Sequence, residues 1–225
     1  MKNKIYNVVI LDKSGSMSSI RRVAIDSVNE TFGCIRSLRK KNPDQLQLVT
    51  LVAFCACEQK VIYENTPIEE VRDITRRDYE PCCGTPLYDA IGNVCTRLHQ
   101  AVKDCENASV MVTVITDGYE NASREFSAKA IKALIEAYKE EGWMFAYIGA
   151  DHDVESVAFS LSIDNALLFE KTEEGTRQMA DRLHESMKAY DDKVMALMEE
   201  ERDGQISKGE LLERKRSLSK KFFRF

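Results

Sequence analysis

No apolar run in this 225-residue chain reaches the roughly 18–20 residues needed to cross a bilayer, so no membrane span is expected. The opening Met1–Asn7 segment has the basic start of a secretory leader. The apolar run behind it stops at Asp12, however, and no small-residue cleavage site follows. It reads as the first strand of a fold, and the chain as cytoplasmic. A regular, even set of cysteines is also missing. The seven present are odd in number, with Cys55 and Cys57 one residue apart and Cys82 beside Cys83. That is not a secreted disulfide framework, and it predicts reduced thiols. A large excess of either charge sign is missing too: a formal net charge of −5 gives no global argument for nucleic acid, and no nucleic-acid partner is expected. Neither Gly-x-Gly-x-x-Gly nor Gly-x-x-x-x-Gly-Lys occurs, which argues against a nucleotide-binding loop. There is no Glu-x-x-His arrangement, no internal repeat and no Pro/Gly-rich linker.

What is present is a composition of 44% hydrophobic and 31% charged residues, enough for one sizeable α/β domain with an appendage. The first 170 residues alternate between two periods. Ile5–Leu11 is a continuous apolar run, as in a strand buried on both faces. Ile20, Ala24, Val28, Phe32 and Ile35 follow at helical spacing. Leu46–Phe54 is again strand-like, and Lys60–Tyr63 reads as a weaker edge strand. Thr66-Pro67-Ile68-Glu69 has the form of a capping box with proline at the first helical position, which predicts a short helix. Further helices are predicted around Leu87–Ala101, Ser127–Glu141 and Val154–Leu161, with strands at Val110–Thr116, Met144–Gly149 and Ala166–Phe169.

The alternation predicts an α/β fold: a doubly wound, mostly parallel, Rossmann-like sheet with one antiparallel edge strand and helices on both faces. After Thr172 a long charged helix carries one apolar stripe (Met179, Leu183, Met187, Val194, Met198), expected to dock on the domain or to pair in a dimer. The division is then a domain over 1–171 and a charged helical extension over 172–225. The basic, aromatic Arg214–Phe225 stretch reads as a short amphipathic helix or a frayed tail, in preference to a nucleic-acid or membrane contact.

In open parallel sheets, ligands bind outside the carboxyl ends of the strands. Three polar clusters are expected there: Asp12-Lys13-Ser14-Gly15-Ser16, Gly84-Thr85-Pro86 and Thr116-Asp117-Gly118. Each alone has a plain explanation. Ser16 or Ser18 suits a helix cap, as does Thr85 before proline, and Asp117-Gly118 suits a turn. Their joint occurrence, each at a sheet end, argues for a shared site.

Asp12, Ser14, Ser16, Thr85 and Asp117 match, without a gap, the signature of the von Willebrand factor A family and its metal-ion-dependent adhesion site. That signature is Asp-x-Ser-x-Ser after the first strand, a distant Thr, and an Asp that often precedes Gly. The chain resembles that family over roughly residues 4–170, and its intracellular prokaryotic members more than the secreted ones. The resemblance implies one Mg²⁺, with Mn²⁺ or Ca²⁺ as alternatives, held by the hydroxyls of Ser14, Ser16 and Thr85. Asp12 and Asp117 are implied to act largely through bridging waters. Such a cation stays under-neutralised and keeps an exchangeable position for an acidic side chain of a partner protein. Family analogy extends to scaffolds and to adaptors of ATPase or other complexes.

Tyr88, Tyr119 and His152 are candidates for the rim of such a site, although the tyrosines also suit packing and the acidic neighbours of His152 suit capping. His99 and His184 lie in helical patterns and read as structural. Cys55, Cys57, Cys82 and Cys83 fit a redox switch or a thiolate zinc site, but neither spacing is a standard zinc pattern and cysteine often serves as a small buried hydrophobe. Cys34, Cys95 and Cys105 read as packing residues. No general base stands next to a nucleophile, so a non-enzymatic binding module is expected. The competing readings are an Mg²⁺-dependent phosphoryl-transfer enzyme using Asp12, similar to haloacid dehalogenase-type phosphatases, and a structural domain without metal. The first conflicts with Ser14, which stands where those enzymes carry a second Asp.

Overall fold

The computed structural model describes residues 3–105, 107–150 and 153–224. Six strands form one sheet: β1 (Asn3–Asp12), β2 (Gln45–Cys55), β3 (Glu58–Pro67), β4 (Ala108–Thr116), β5 (Met144–Gly149) and β6 (Asn165–Leu168). Their spatial order is β3-β2-β1-β4-β5-β6. All neighbours pair parallel except β2 with β3, so the predicted doubly wound sheet with an antiparallel edge is what forms. The helices are α1 (Arg21–Lys41), α2 (Leu87–Val102), α3 (Ala128–Glu140), α4 (Val154–Ser160), α5 (Glu173–Arg202) and α6 (Lys208–Ser219).

The continuous apolar run in β1 is explained by burial on both faces. Ile5, Val9 and Leu11 join one core with α1 and α5, while Tyr6, Val8 and Ile10 join a second core with α2, α3 and α4. Period-2 alternation sends successive side chains to opposite faces, and here both are apolar because both are covered.

β1 lies between β2 and β4. Chain order therefore reverses at β1, and the carboxyl ends of β1 and β4 open a crevice at the switch point. Asp12 ends β1 and Asp117 directly follows β4, so topology alone places both carboxylates there.

The methionine stripe docks on the domain: Met179, Leu183, Met187, Val194 and Met198 belong to the same core as β1 and α1. A buried polar clamp sets the register of α5. Asp191 accepts from Gln45 Nε2 at 2.8 Å and from Asn42 Nδ2 at 3.1 Å, tying the helix to the start of β2. The terminal stretch is not frayed. Ser207 and Glu210 form a capping box that starts α6. Beyond it Phe222 is wholly buried, edge-on to Tyr190 with ring centroids 5.7 Å apart, and its backbone N–H donates to Asn165 Oδ1 at 3.0 Å.

Two local expectations fail. The Thr66–Glu69 capping box does not form. β3 continues through Pro67, with Thr66 opposite Val49 and Pro67 opposite Leu48, and only a 3-10 turn over Ile68–Glu70 follows, without a side-chain cap. Strand pairing wins over the local helix signal because proline is tolerated at a sheet edge and Ile68 is buried directly beyond it. Uniformly reduced thiols are not found either. Cys57 and Cys83 are joined in a disulfide, because the turn after β2 meets the loop before Thr85 and brings the two Cα atoms to 6.6 Å.

Phe222→Ala should lower the unfolding free energy by ~3–5 kcal/mol, as large-to-small changes at filled core sites do. Urea unfolding checks this; a loss below about 1 kcal/mol would show that the terminus only rests on the core.

Candidate metal centre

Asp12 is fully buried and Asp117 is 4% exposed. Carboxylates withdrawn from water need donors or a cation. Asp12 Oδ1 accepts from Ser14 N at 2.7 Å, which folds the β1 loop back over the strand end. Asp12 Oδ2 accepts from Thr116 Oγ1 at 2.6 Å, which joins the ends of β1 and β4. Asp117 Oδ1 accepts from Ser16 Oγ at 2.6 Å, and Ser16 Oγ lies 3.2 Å from Ser14 Oγ. Thr85 Oγ1 and Ser16 Oγ each lie 3.9 Å from the point where a Cβ on Gly118 would stand, so Thr85 reaches the same cluster across Gly118. All five residues singled out from the sequence meet in one place.

The plain explanations for these residues are not what the structure uses. Neither Ser16 nor Ser18 caps α1, whose N-cap is Ile20 behind a 3-10 turn over Gly15–Ile20. The N-cap of α2 is Pro86 and not Thr85, and the first N–H groups of that helix are met by Glu120 and Ser123 instead. The hydroxyls are thus left for the carboxylates and for each other.

Asp117 Oδ2 is buried and accepts no hydrogen bond among the described residues. The Lys171 ammonium lies 2.9 Å from it, near enough for an ion pair but not aligned as a hydrogen bond. A carboxylate oxygen so placed, next to three hydroxyls and a cationic side chain, has the chemistry of a hard-cation site. Ser14, Ser16 and Thr85 supply neutral oxygens, and Asp12 and Asp117 supply the charge.

Several contributors carried no signal in the sequence pattern. Lys171 is distant in the chain and arrives only because β6 ends beside β5. Thr116 stands in the strand-end cluster Thr116-Asp117-Gly118, but nothing in that pattern marks its hydroxyl as the partner of Asp12. Tyr79 donates to the Asp12 carbonyl oxygen at 2.6 Å. Asn121 Oδ1 accepts from Thr85 N at 2.8 Å. A Cβ on Gly84 would stand 2.7 Å from that Asn121 oxygen, which is why the residue before Thr85 is glycine. Asp89, on the first turn of α2, accepts from the backbone N–H groups of Arg124, Glu125 and Phe126 at 2.8–2.9 Å and so fixes the loop after Asp117.

Of the proposed rim, Tyr88 is half-buried and packs against the α2 core. Tyr119 is 55% exposed, its hydroxyl accepting from Asp153 N at 3.1 Å. His152 lies outside the described residues. His99 stacks on Tyr138 with ring centroids 4.6 Å apart, a structural role, and burial on α5 pushes the His184 imidazole below its usual pKa.

No protein-family model matches the chain, and no curated protein matches its sequence. Among solved structures the fold is similar to that of proximal thread matrix protein 1 from the mussel byssus. One structure gives a TM-score of 0.59 at 14% identity, covering 80% of this chain and 45% of that one. A second crystal form gives 0.55 at 13% identity, with 80% and 44% covered. The chain spans less than half the length of that protein. At such identity the likeness is one of fold.

Burial pushes the Asp12 carboxyl up to about 6, against hydrogen bonds from Thr116 and Ser14 that pull it down; the Asp117 charge adds a smaller upward push. The folded state therefore holds this proton more tightly than the unfolded chain does. Between pH of about 4 and about 6 the native protein binds more protons, so the contribution of Asp12 to stability falls as pH rises through that window. In a chelator, the stability of Asp12→Asn relative to wild type should improve by on the order of 3 kcal/mol between pH 4 and 7. A difference that stays flat with pH would mean that the buried carboxylate is already compensated.

Proposed function

We propose that the chain is a divalent-cation-dependent protein-binding module of the von Willebrand factor A type, with Asp12, Ser14, Ser16, Thr85 and Asp117 as an adhesion-type metal site. The observation that carries this reading is the convergence of three separate loops on two buried carboxylates, one of which has an oxygen that accepts no hydrogen bond among the described residues and faces the Lys171 ammonium. A bound divalent cation supplies a hard, under-neutralised centre with a position open to an oxygen ligand. The chain's own residues do the rest. Asp12 orients Ser14 through its backbone N–H and holds Thr116, while Asp117 aims the Ser16 hydroxyl. Asn121 and the glycines at 84 and 118 leave Thr85 facing the cluster. An acidic side chain of a partner protein is the group that such a centre selects, and exposed Tyr119 offers aromatic contact area beside it.

Placement at the switch point of a parallel sheet supports the reading, because that crevice is where this architecture binds ligands. Mg²⁺ is the preferred cation, with Mn²⁺ and Ca²⁺ as alternatives, and a scaffold or adaptor role in the cytoplasm is the biological setting that fits. No described helix is long and apolar enough to cross a membrane.

Calorimetric titration with Mg²⁺ and Mn²⁺ should show one site in the wild type, lost in Asp12→Ala and Thr85→Ala. A wild type that binds neither ion, alone or with an acidic peptide added, would sink the proposal. Lys171→Met removes the ammonium that stands at Asp117 and should tighten Mg²⁺ binding by about tenfold, a difference of ~1.4 kcal/mol. Unchanged or weaker binding in that variant would place Lys171 outside the metal's electrostatic reach.

A further inference from the structure

The function proposed above leaves the four cysteines beside the site unused. Cys55 and Cys57 flank the turn out of β2, and Cys82 and Cys83 precede the Thr85 loop. The sulfurs of Cys55, Cys57 and Cys82 lie within 4.8 Å of one another, those of Cys55 and Cys82 are 3.3 Å apart, and Cys83 is bonded to Cys57. Cys55, Cys57 and Cys82 therefore form one cluster, and Cys83 adjoins it as a fourth sulfur through its bond to Cys57. A disulfide accounts for two of them and leaves a second pair pressed against it.

In a tetrathiolate zinc centre, Zn–S bonds of about 2.3 Å set the sulfurs about 3.8 Å apart around a tetrahedron, which is the scale of the Cys55, Cys57 and Cys82 group. Lys13 adds a charge argument. Its side chain is buried, its ammonium pairs with Glu58, and it lies near enough to Cys55 and Cys82 for their charges to interact. An ammonium in that place offsets part of the negative charge that a thiolate centre carries. Exposure of Cys57 and Cys83 leaves the cluster open to solvent for loading.

We propose that Cys55, Cys57, Cys82 and Cys83 form, in the reduced chain, a thiolate site for Zn²⁺ that is separate from the hydroxyl site. Reduction of the Cys57–Cys83 bond takes two electrons from a phosphine, which leaves as its oxide while water supplies the oxygen and the two protons, and yields two thiols. Zn²⁺ then displaces four protons from the four thiols, leaving a centre of net charge −2 next to Lys13. The centre staples three segments. Cys82 N donates to the Lys13 carbonyl at 2.8 Å, Gly15 N to the Cys83 carbonyl at 2.9 Å, and Ala56 N to the Gly84 carbonyl at 2.9 Å. The loops bearing Ser14, Ser16 and Thr85 are thus tied to the sulfur cluster through backbone, independently of any cation at Asp12 and Asp117.

The test is Co²⁺ titration of the full chain after phosphine reduction, read by thiolate-to-metal charge transfer and by tetrahedral d–d bands, with Zn²⁺ as displacing ion. The wild type should take up about one equivalent. Cys57→Ser and Cys82→Ser should weaken it by about a hundredfold or more, while Cys34→Ser and Asp12→Ala should retain the bands. Zn²⁺ should also shield the four cysteines of the wild type from alkylation, a readout that needs no variant to fold. Absence of the bands from the reduced wild type, their persistence in Cys57→Ser, their loss in Asp12→Ala, or shielding of two thiols or fewer would each overturn the proposal.

Discussion

Two carboxylates buried side by side at the end of a parallel sheet are the constraint around which the top of this molecule is arranged. Asp12 ends β1 and Asp117 follows β4, side by side because the two strands pair directly, and neither side chain reaches bulk water. An ionised carboxylate so placed is unfavourable unless donors or a cation answer it. The answer comes from the loop after β1, from Thr116, and from Lys171 in the segment that follows β6. Each group is drawn from a different part of the chain, so the carboxylates also act as the point at which those loops are held in register.

The surrounding scaffold keeps the loops from collapsing onto the charges. Tyr79 holds the Asp12 backbone, Asp89 gathers three backbone N–H groups of the segment after Asp117, and Asn121 holds Thr85 by its own backbone. These contacts use side chains to satisfy loop backbone that has no strand or helix partner. Beneath them the two apolar cores clamp the sheet from both faces, with α5 locked on one face by the Asp191 network. A rigid sheet with polar loops fixed at its carboxyl edge is what a binding site with exchangeable ligands requires.

Much of this was legible in the chain. The alternation of apolar runs and helical stripes specified the sheet, because each buried face demands its own period. Asp12, Ser14, Ser16, Thr85 and Asp117 were legible as a set because each followed a predicted strand or opened a predicted helix. Local signals misled where tertiary pairing outweighed them. Thr66-Pro67-Ile68-Glu69 carries the form of a helix start, yet edge pairing with β2 kept it extended. The serines after Asp12 suit a helix cap, yet their hydroxyls turned to the carboxylates.

By itself, then, the sequence determined the strand and helix order, the burial of both sheet faces and the five residues of the candidate site, since these depend on periodicity and on short spacings. Only the tertiary structure decided which distant groups meet. It brought Lys171 to Asp117, set Thr116 on Asp12, and gathered two cysteine pairs separated by some 26 residues into one cluster. Those encounters depend on strand order and loop path. No local pattern encodes them, because the free energy that selects them is shared across the whole packed sheet.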